Sequence, residues 1–183
     1  PEKTIMAKLN IFTANDSYYD EMLALEHFVP SHHAYKLEIR NEENSSHFSF
    51  QRIRLPREVN LAYSRAEAEL IPHWKQADMV FVAMVEEHLM GYVVLDVRHL
   101  PKTVRVTDLV VNQDARRCGI ASAMVSVCET WAQTNKYNRV VLEIPLRNDP
   151  MVRLAQKLGY AMNGFMDQYF PNHDPAVFFE KRI

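Results

Sequence analysis

One stretch, residues 104–131, changes its periodicity in the middle and so limits the folds open to this 183-residue chain. Residues 104–111 form a β-branched run, and residues 120–131 repeat apolar side chains at helical spacing. The change falls at residues 112–117, where neither period fits. The sequence therefore predicts a strand, a tight turn and the N-terminus of a helix.

The predicted helix N-terminus has the features of an anion site. Its first backbone N–H groups lack intrahelical acceptors and carry partial positive charge. Gly119 lets an anionic group approach the backbone closely, and Arg116 and Arg117 add charge in the same turn. These features predict a pyrophosphate site on the backbone of Arg117, Cys118, Gly119, Ile120, Ala121 and Ser122. The alternative is a solvated basic turn.

The length and composition predict a single domain that spans residues 1–183. With 48% apolar residues, a chain of this size can bury a full hydrophobic core. The net charge of −2 gives no basic field of the kind that drives nucleic-acid binding. Residues 1–7 are expected to be vector-derived or disordered.

The two cysteines, Cys118 and Cys128, are predicted to be free thiols. On one helix their separation is roughly 15 Å, which is far beyond disulfide reach. Free thiols, the lack of an apolar run of membrane length and the lack of a signal segment together predict a cytoplasmic protein.

The remaining chain predicts a mixed α/β domain. Residues 31–46 are polar and are expected to form a surface loop, and Gly159 is expected to end a helix. The predicted strands are 8–12, 48–55, 79–85, 89–97, 103–111, 139–144, 160–169 and 176–181. The predicted helices are 18–28, 60–70, 151–158 and the long helix after Gly119.

Two motifs carry a family resemblance. The spacing Arg116-x-x-Gly119-x-Ala121 after a strand resembles the acyl-CoA signature of the GNAT superfamily of N-acetyltransferases. Asn148 opens a helix that ends in residues 156–160, QKLGY, which resembles the second motif of the same family. Finer details resemble the streptothricin-acetyltransferase-like branch, namely Trp131-Ala132, Leu142-Glu143, Gly164-Phe165, Tyr169 and the aromatic run 177–179.

The resemblance implies a GNAT fold: a central twisted mixed sheet of about seven strands, flanked by helices, with a splayed pair of central parallel strands. It implies acetyl-CoA as co-substrate and direct acetyl transfer to a primary amine of a small molecule. Backbone N–H groups of Leu109, Val110 or Val111 would bind pantetheine and polarise the thioester carbonyl. Asn148 would cap its helix and contact CoA. A homodimer is left open, and no nucleic acid or membrane partner is expected.

Within that mechanism, Asp108 and Glu143 are the candidate bases, since they are carboxylates on adjacent central strands with apolar neighbours that would raise the pKa. Either could instead anchor a loop. The branch carries a tyrosine as acid where this chain has Ala155, so Tyr160 and Tyr169 are the remaining acids, with ordinary packing as the alternative. Cys118 has no nearby histidine that would activate it, and the eight histidines show no metal-ligand spacing.

Two other functions fit the sequence. A protein or peptide N-acetyltransferase would use the loop 31–46 and the turn near Asn172 to frame an open groove. A non-catalytic acyl-CoA-binding regulator is suggested by Ala155 in place of the tyrosine.

Overall fold

The computed structural model describes residues 8–183. Within that range the chain forms nine strands and four α-helices. The strands are β1 (Leu9–Thr13), β2 (Phe28–Glu42), β3 (Ser45–Ala62), β4 (Met79–Val85), β5 (His88–Asp96), β6 (Thr103–Val111), β7 (Arg139–Pro145), β8 (Ala161–Met166) and β9 (Ala176–Arg182). The helices are α1 (Tyr19–Leu23), α2 (Glu67–Gln76), α3 (Ile120–Thr134) and α4 (Asp149–Lys157).

The main sheet contains seven strands in the order β1-β4-β5-β6-β7-β9-β8, and β2 and β3 form a separate two-stranded sheet. The pairs β1–β4, β4–β5 and β5–β6 are antiparallel, whereas β6–β7 is parallel. This mixed sheet with flanking helices confirms the predicted fold class. By contacts between Cα atoms the chain divides into two compact units.

The first unit contains described residues 8–26, 66–143 and 180–183. Its core is the apolar run of β4 and β5, with β6 and helix α3 packed against it. The buried side of α3 consists of Ile120, Met124, Val125, Cys128 and Ala132. Gly91 is required on β5, because a Cβ there would lie 2.5 Å from the Val110 carbonyl oxygen and 3.1 Å from Met124 Cε.

The second unit contains residues 27–65 and 144–179. Its long hairpin pairs β2 with β3 from Phe28–Ala62 to Glu42–Ser45. Helix α4 ends in a Schellman motif, in which Tyr160 N–H bonds to the Ala155 carbonyl and Gly159 N–H to the Gln156 carbonyl. Gly159 has φ +82°, so the prediction that it ends this helix is confirmed.

The prediction of a surface loop at residues 31–46 is wrong, because these residues form β2 and the start of β3. Polar side chains occupy alternate positions of a hairpin that is exposed over most of its length, so no apolar run marks the strands. Only residues 48–55 of this hairpin were predicted as a strand. Strand β3 begins before them, at Ser45, and continues through Pro56 to Ala62.

The helix predicted at residues 60–70 begins later and continues through Pro72 to Gln76. Pro72 removes the N–H that would bond to the Ala68 carbonyl, but both residues are exposed and water can bond to that carbonyl. Buried Leu70 and Trp74, one turn apart, hold this helix in place.

The other elements differ from prediction mainly at their ends. Strands β4 and β6 have the predicted bounds, while the first helix stops at Leu23, short of the predicted Phe28. The last two strands are β8 and β9, and β8 ends at Met166, earlier than predicted. The expectation for residues 1–7 lies outside the described residues. In the part of the chain that the structure covers, no helix is long and apolar enough to cross a membrane.

Candidate active site

The turn between β6 and α3 is open to solvent, and it presents a helix N-terminus. Arg117, Cys118 and Gly119 are exposed, and Arg117 and Gly119 have φ values of +68° and +88°. A Cβ built at Gly119 would meet nothing within 4 Å. The backbone at this point can therefore be approached closely by a ligand.

The first turn of α3 carries N–H groups without an intrahelical acceptor. The N-cap carbonyl of Gly119 accepts from Ala123 N–H at 3.0 Å, and no side chain caps the helix. The N–H groups of Ile120, Ala121 and Ser122 lie before this first intrahelical bond and have no acceptor within the helix. These groups, with exposed Arg117, form a site suited to a pyrophosphate.

Unlike its exposed neighbour Arg117, Arg116 is half-buried and is bonded to the surrounding backbone. Its Nε donates to the Val111 carbonyl oxygen at 3.0 Å, and its main-chain N–H donates to the Gln113 carbonyl. One guanidinium nitrogen lies 3.4 Å from the Glu26 carbonyl oxygen. These contacts tie the turn to the end of β6.

The parallel strands β6 and β7 separate before β6 ends. Their pairs extend from Thr103–Arg139 to Val106–Leu142, whereas the pairing of β6 with β5 continues to Val111. The segment that contains Leu109, Val110 and Val111 therefore has β5 on one side, and its register with β7 has already ended. This separation is the predicted splay.

A β-bulge lies at the beginning of this separated segment. Asp108 pairs with Val94 and Val106 pairs with Leu95, so Thr107 is an extra residue in β6. A bulge changes the direction in which side chains point. It places Asp108 on the face of the sheet that carries Arg105, since Arg105 pairs with Asp96, two residues from Val94.

Asp108 is bonded to a histidine of helix α2. His73 Nε2 lies 2.5 Å from Asp108 Oδ2 and 3.2 Å from Thr107 Oγ1. The side chain of Asp108 is 1% exposed, and that of His73 is 22% exposed. The carboxylate is therefore buried behind an imidazole that remains partly accessible.

Glu143 on β7 is also buried, and its partner is an arginine. Arg105 Nε donates to Glu143 Oε1, and the side chains are 15% and 1% exposed respectively. Arg105 also lies 3.8 Å from Asp96 Oδ1. Hydrogen bonds from His99 and Arg98 outweigh the effect of burial and lower the pKa of Asp96 to about 2. Arg105 thus joins two carboxylates.

Asn148 and the two candidate tyrosines belong to the second unit. The Asn148 side chain accepts from Met151 N–H at 3.1 Å, so this residue caps α4. Tyr160 is buried, and Tyr169 makes edge contacts with the rings of Phe170 and Phe178. Ala155, at the position of the expected tyrosine, is buried.

A further buried carboxylate, Asp149, follows Asn148. Arg52 on β3 bonds to it through two nitrogens, at 2.5 Å and 3.0 Å. The hydrogen bond from Arg52 is the main cause that lowers the pKa of Asp149, and burial opposes it. The pair connects the hairpin to α4.

Sequence reasoning identified Asp108 and Glu143 but missed His73, Arg105 and Arg52. His73 lies 35 residues before Asp108, on a helix whose predicted end preceded it. Side chains alternate between the two faces along a strand, and this rule could have suggested that Arg105 of β6 lies on the same face as Glu143 of the adjacent strand β7. No local signal connects Arg52 to Asp149.

The comparisons with known proteins point to one family. The sequence profile of the acetyltransferase (GNAT) family matches residues 36–160. The L-amino acid N-acetyltransferase AaaT of Escherichia coli (strain K12) is 27% identical over 94 residues, which cover 48% of this chain and 56% of that protein. The chain thus spans about half the length of this curated relative.

Solved structures with the same fold cover nearly the whole chain. A nourseothricin acetyltransferase superposes with a TM-score of 0.79 at 14% identity, over 95% of this chain and 98% of the other. A proposed streptothricin acetyltransferase from Bacillus anthracis, bound to acetyl coenzyme A, gives 0.74 at 12% identity over 96% and 100%. At these identities the likeness concerns the fold.

Proposed function

Because the chain belongs to the acetyltransferase (GNAT) family, we propose that it is an acetyl-CoA-dependent N-acetyltransferase that acetylates a primary amine of a small molecule. The observation that carries this proposal is the open helix N-terminus at Gly119, directly after the segment where β6 leaves β7. It offers an anion site next to a stretch of β6 that has left the register of β7.

In this proposal the residues of the turn hold the cofactor. The N–H groups of Ile120, Ala121 and Ser122 bind the pyrophosphate, and Arg117 adds charge at the exposed rim. Arg116 supports the turn through the Val111 carbonyl. Backbone groups of Leu109 to Val111 bind pantetheine and polarise the thioester carbonyl, and bound acetyl-CoA supplies an activated acetyl group.

The catalytic side chains are proposed in the same way. Asp108 belongs to the proton-accepting site, because it lies in the separated segment with a partly accessible partner. Glu143 is bonded to Arg105, which favours a structural role over that of a base. Tyr160 and Tyr169 remain the candidate acids, and Asn148 is proposed to contact CoA besides capping α4.

The small-molecule acceptor is supported by the relatives. AaaT is named for L-amino acids, and one structural neighbour is named for nourseothricin. We therefore propose to test thiol release from acetyl-CoA with nourseothricin, with each L-amino acid and with a peptide that has a free N-terminus. Activity on the peptide alone would select a protein N-acetyltransferase, and binding without turnover would select a regulator.

The anion site has a matched pair of variants. Gly119 and Gly159 both have positive φ and open space around an added Cβ, so alanine costs a similar strain of roughly 1–2 kcal/mol at either position. Acetyl-CoA should raise the melting temperature of the wild type and of Gly159→Ala. Gly119→Ala should need at least about tenfold more acetyl-CoA for the same shift. Equal shifts in both variants would argue against the site.

The two cysteines provide a second test of the same site. Cys118 lies exposed in the turn, whereas burial raises the pKa of Cys128 to about 12. Iodoacetamide should label Cys118 and leave Cys128 unmodified in the folded chain. Acetyl-CoA should slow the labelling of Cys118 severalfold, and an unchanged rate at saturating acetyl-CoA would contradict binding at this turn.

Self-association and a cytoplasmic location of the protein remain predictions. A dimer would find apolar surface on the hairpin, where paired Ile39 and Phe48 are 51% and 58% exposed. Light scattering of the full chain at increasing concentration measures its oligomeric state.

A further inference from the structure

Neither candidate base is well placed to take a proton from a substrate directly, because the side chains of Asp108 and Glu143 are each 1% exposed. Asp108 lies at the right point of β6, but its side chain is 1% exposed and already within 2.5 Å of His73 Nε2. The solvent-accessible group next to Asp108 is the imidazole of His73, whose side chain is 22% exposed. The accessible proton acceptor at this point is therefore the histidine.

Resting on the proposed acetyl transfer, we infer that His73 is the catalytic base that deprotonates the acceptor ammonium and that Asp108 is a positioning residue. An ionised carboxylate can only accept hydrogen bonds, so the hydrogen between the two residues belongs to His73 Nε2. In a neutral imidazole this leaves Nδ1 with its lone pair. Within residues 8–183, no hydrogen bond of the protein uses Nδ1 of His73.

The support of the imidazole is rigid. Leu70 and Trp74, on the same helix as His73, are both buried, and Trp74 packs edge-on against Tyr92 at 5.2 Å between ring centroids. On the sheet side, the bulge at Thr107 brings a hydroxyl and a carboxylate to the same ring nitrogen. The orientation of His73 is thus held from two elements, and an ionised Asp108 favours the Nε2–H tautomer.

The chemical step balances without a further reactant. The ammonium of the acceptor gives one proton to His73 Nδ1, and the freed lone pair of its nitrogen forms the C–N bond to the acetyl carbonyl carbon. The C–S bond breaks with its electron pair on sulfur, and a second proton from the nitrogen ends on that thiolate. Partly exposed His73 then releases its proton to water.

A histidine suits this role because an imidazole ordinarily changes its charge between pH 5 and 8. His73 and Asp108 lie within hydrogen-bond distance of each other. The other titratable or charged groups of α2 are Glu67, Glu69 and Lys75. The neighbouring elements add Tyr19, Asp20 and Glu21 of α1, Tyr92 of β5, and Arg105 and Asp108 of β6.

The test compares two histidines that each bond to a buried aspartate. His99 Nδ1 lies 2.9 Å from Asp96 Oδ1, so His99→Gln removes a similar contact outside the proposed site. Rates of thiol release from acetyl-CoA are measured on the full chain with nourseothricin and with each L-amino acid. His73→Gln should lower kcat about 10²- to 10⁴-fold while acetyl-CoA still raises the melting temperature. His99→Gln should stay within about twofold of the wild type.

Two readouts separate a base from a packing residue. Added imidazole should restore the activity of His73→Ala at least about tenfold, since it replaces the lost proton acceptor. The pH profile of kcat/KM for the wild type should contain an ionisation that is missing from the profile of His73→Gln. Loss of activity without rescue and with an unchanged pH profile would overturn the inference.

The outcomes also separate this inference from the proposed function. A wild type that binds acetyl-CoA but acetylates none of the amines overturns both. A wild type that turns over, with His73→Gln at more than about a third of its kcat, overturns the role of His73 alone. If the variants do not fold, ¹⁵N spectra of histidine-labelled wild type decide: the Nε2–H tautomer of His73 is required, and the Nδ1–H tautomer contradicts it.

Discussion

Asp108 and Glu143 lie on adjacent strands, both side chains are 1% exposed, and they differ in their partners. Asp108 accepts from the imidazole of His73, whereas Glu143 accepts from the guanidinium of Arg105. A guanidinium stays charged throughout the range in which proteins are folded, but an imidazole can gain and lose a proton. The partner, rather than the carboxylate, decides which of the two regions can carry out proton transfer.

The other buried carboxylates of the described chain extend this comparison. Asp96 accepts from Arg98 and His99, and Asp149 accepts from Arg52. Both have an arginine partner, as Glu143 does, and both are expected to contribute to stability. The comparison therefore predicts one carboxylate whose loss affects turnover and three whose loss affects folding.

The largest effect is expected for Asp108→Asn. The amide can present a donor to His73 and so favours the wrong tautomer, and we expect kcat to fall about 10²-fold or more with little change in the KM for acetyl-CoA. Glu143→Gln should keep kcat within about threefold. Steady-state kinetics at pH 7.5 measure both. A larger loss in Glu143→Gln would reverse the comparison and make Glu143 the base.

The next effect concerns stability. Arg105→Leu leaves Glu143 buried without its described cationic partner, and removing one member of a buried ion pair costs about 3–5 kcal/mol of the free energy of unfolding. Urea denaturation at pH 7 measures it, and the double variant Arg105→Leu with Glu143→Leu should regain part of the loss. A stability equal to that of the wild type would show that the pair has no structural role.

Asp96 should make the first unit sensitive to acid. Because its pKa is lowered to about 2 in the folded state, it stabilises the fold above pH 4, and this contribution is lost as the pH falls from about 4 towards 2. The loss should be about 1–2 kcal/mol and should be absent in Asp96→Asn. The measurement is the difference in melting temperature between pH 6 and pH 3. Parallel curves for both proteins would contradict this role of Asp96.

The smallest effect is expected for Arg52, whose side chain is more exposed than that of Arg105. Arg52→Gln should lower the free energy of unfolding by about 1 kcal/mol at pH 7. The lowered pKa of Asp149 makes the wild-type contribution present above the ordinary pKa of an aspartate and lost on acidification, so the two proteins should converge in strong acid. A difference that persists at that pH would assign the effect to packing.

The sequence predicted the elements whose periodicity reflects burial. Strands β4 and β6 are buried over most of their residues and have the predicted bounds. The β2–β3 hairpin was missed where its strands alternate polar and apolar residues in an exposed sheet, since that pattern resembles a polar loop. Residues 60–70 favoured a helix by composition, but the first of them complete β3 because they pair with residues 28–30.

The candidate site could be predicted where it depends on local geometry. A turn, a glycine and a helix N-terminus lie within a few residues of each other, so the anion site needed no tertiary information. The role of a buried carboxylate depends on what the fold places beside it. His73 and Arg105 reach Asp108 and Glu143 from elements 35 and 38 residues away in sequence, and no spacing rule joins them.

The single extra residue at Thr107 has a consequence for how such a site can change. Residues directly opposite each other on adjacent strands share a face, so the pairing of Asp108 with Val94 decides which surface the carboxylate faces. Deleting Thr107 would leave the carboxylate opposite Val94 and on the same face of the sheet, but it would remove the hydroxyl that lies 3.2 Å from His73 Nε2. The insertion of one residue thus adds a hydroxyl to the site without changing the face that the carboxylate occupies.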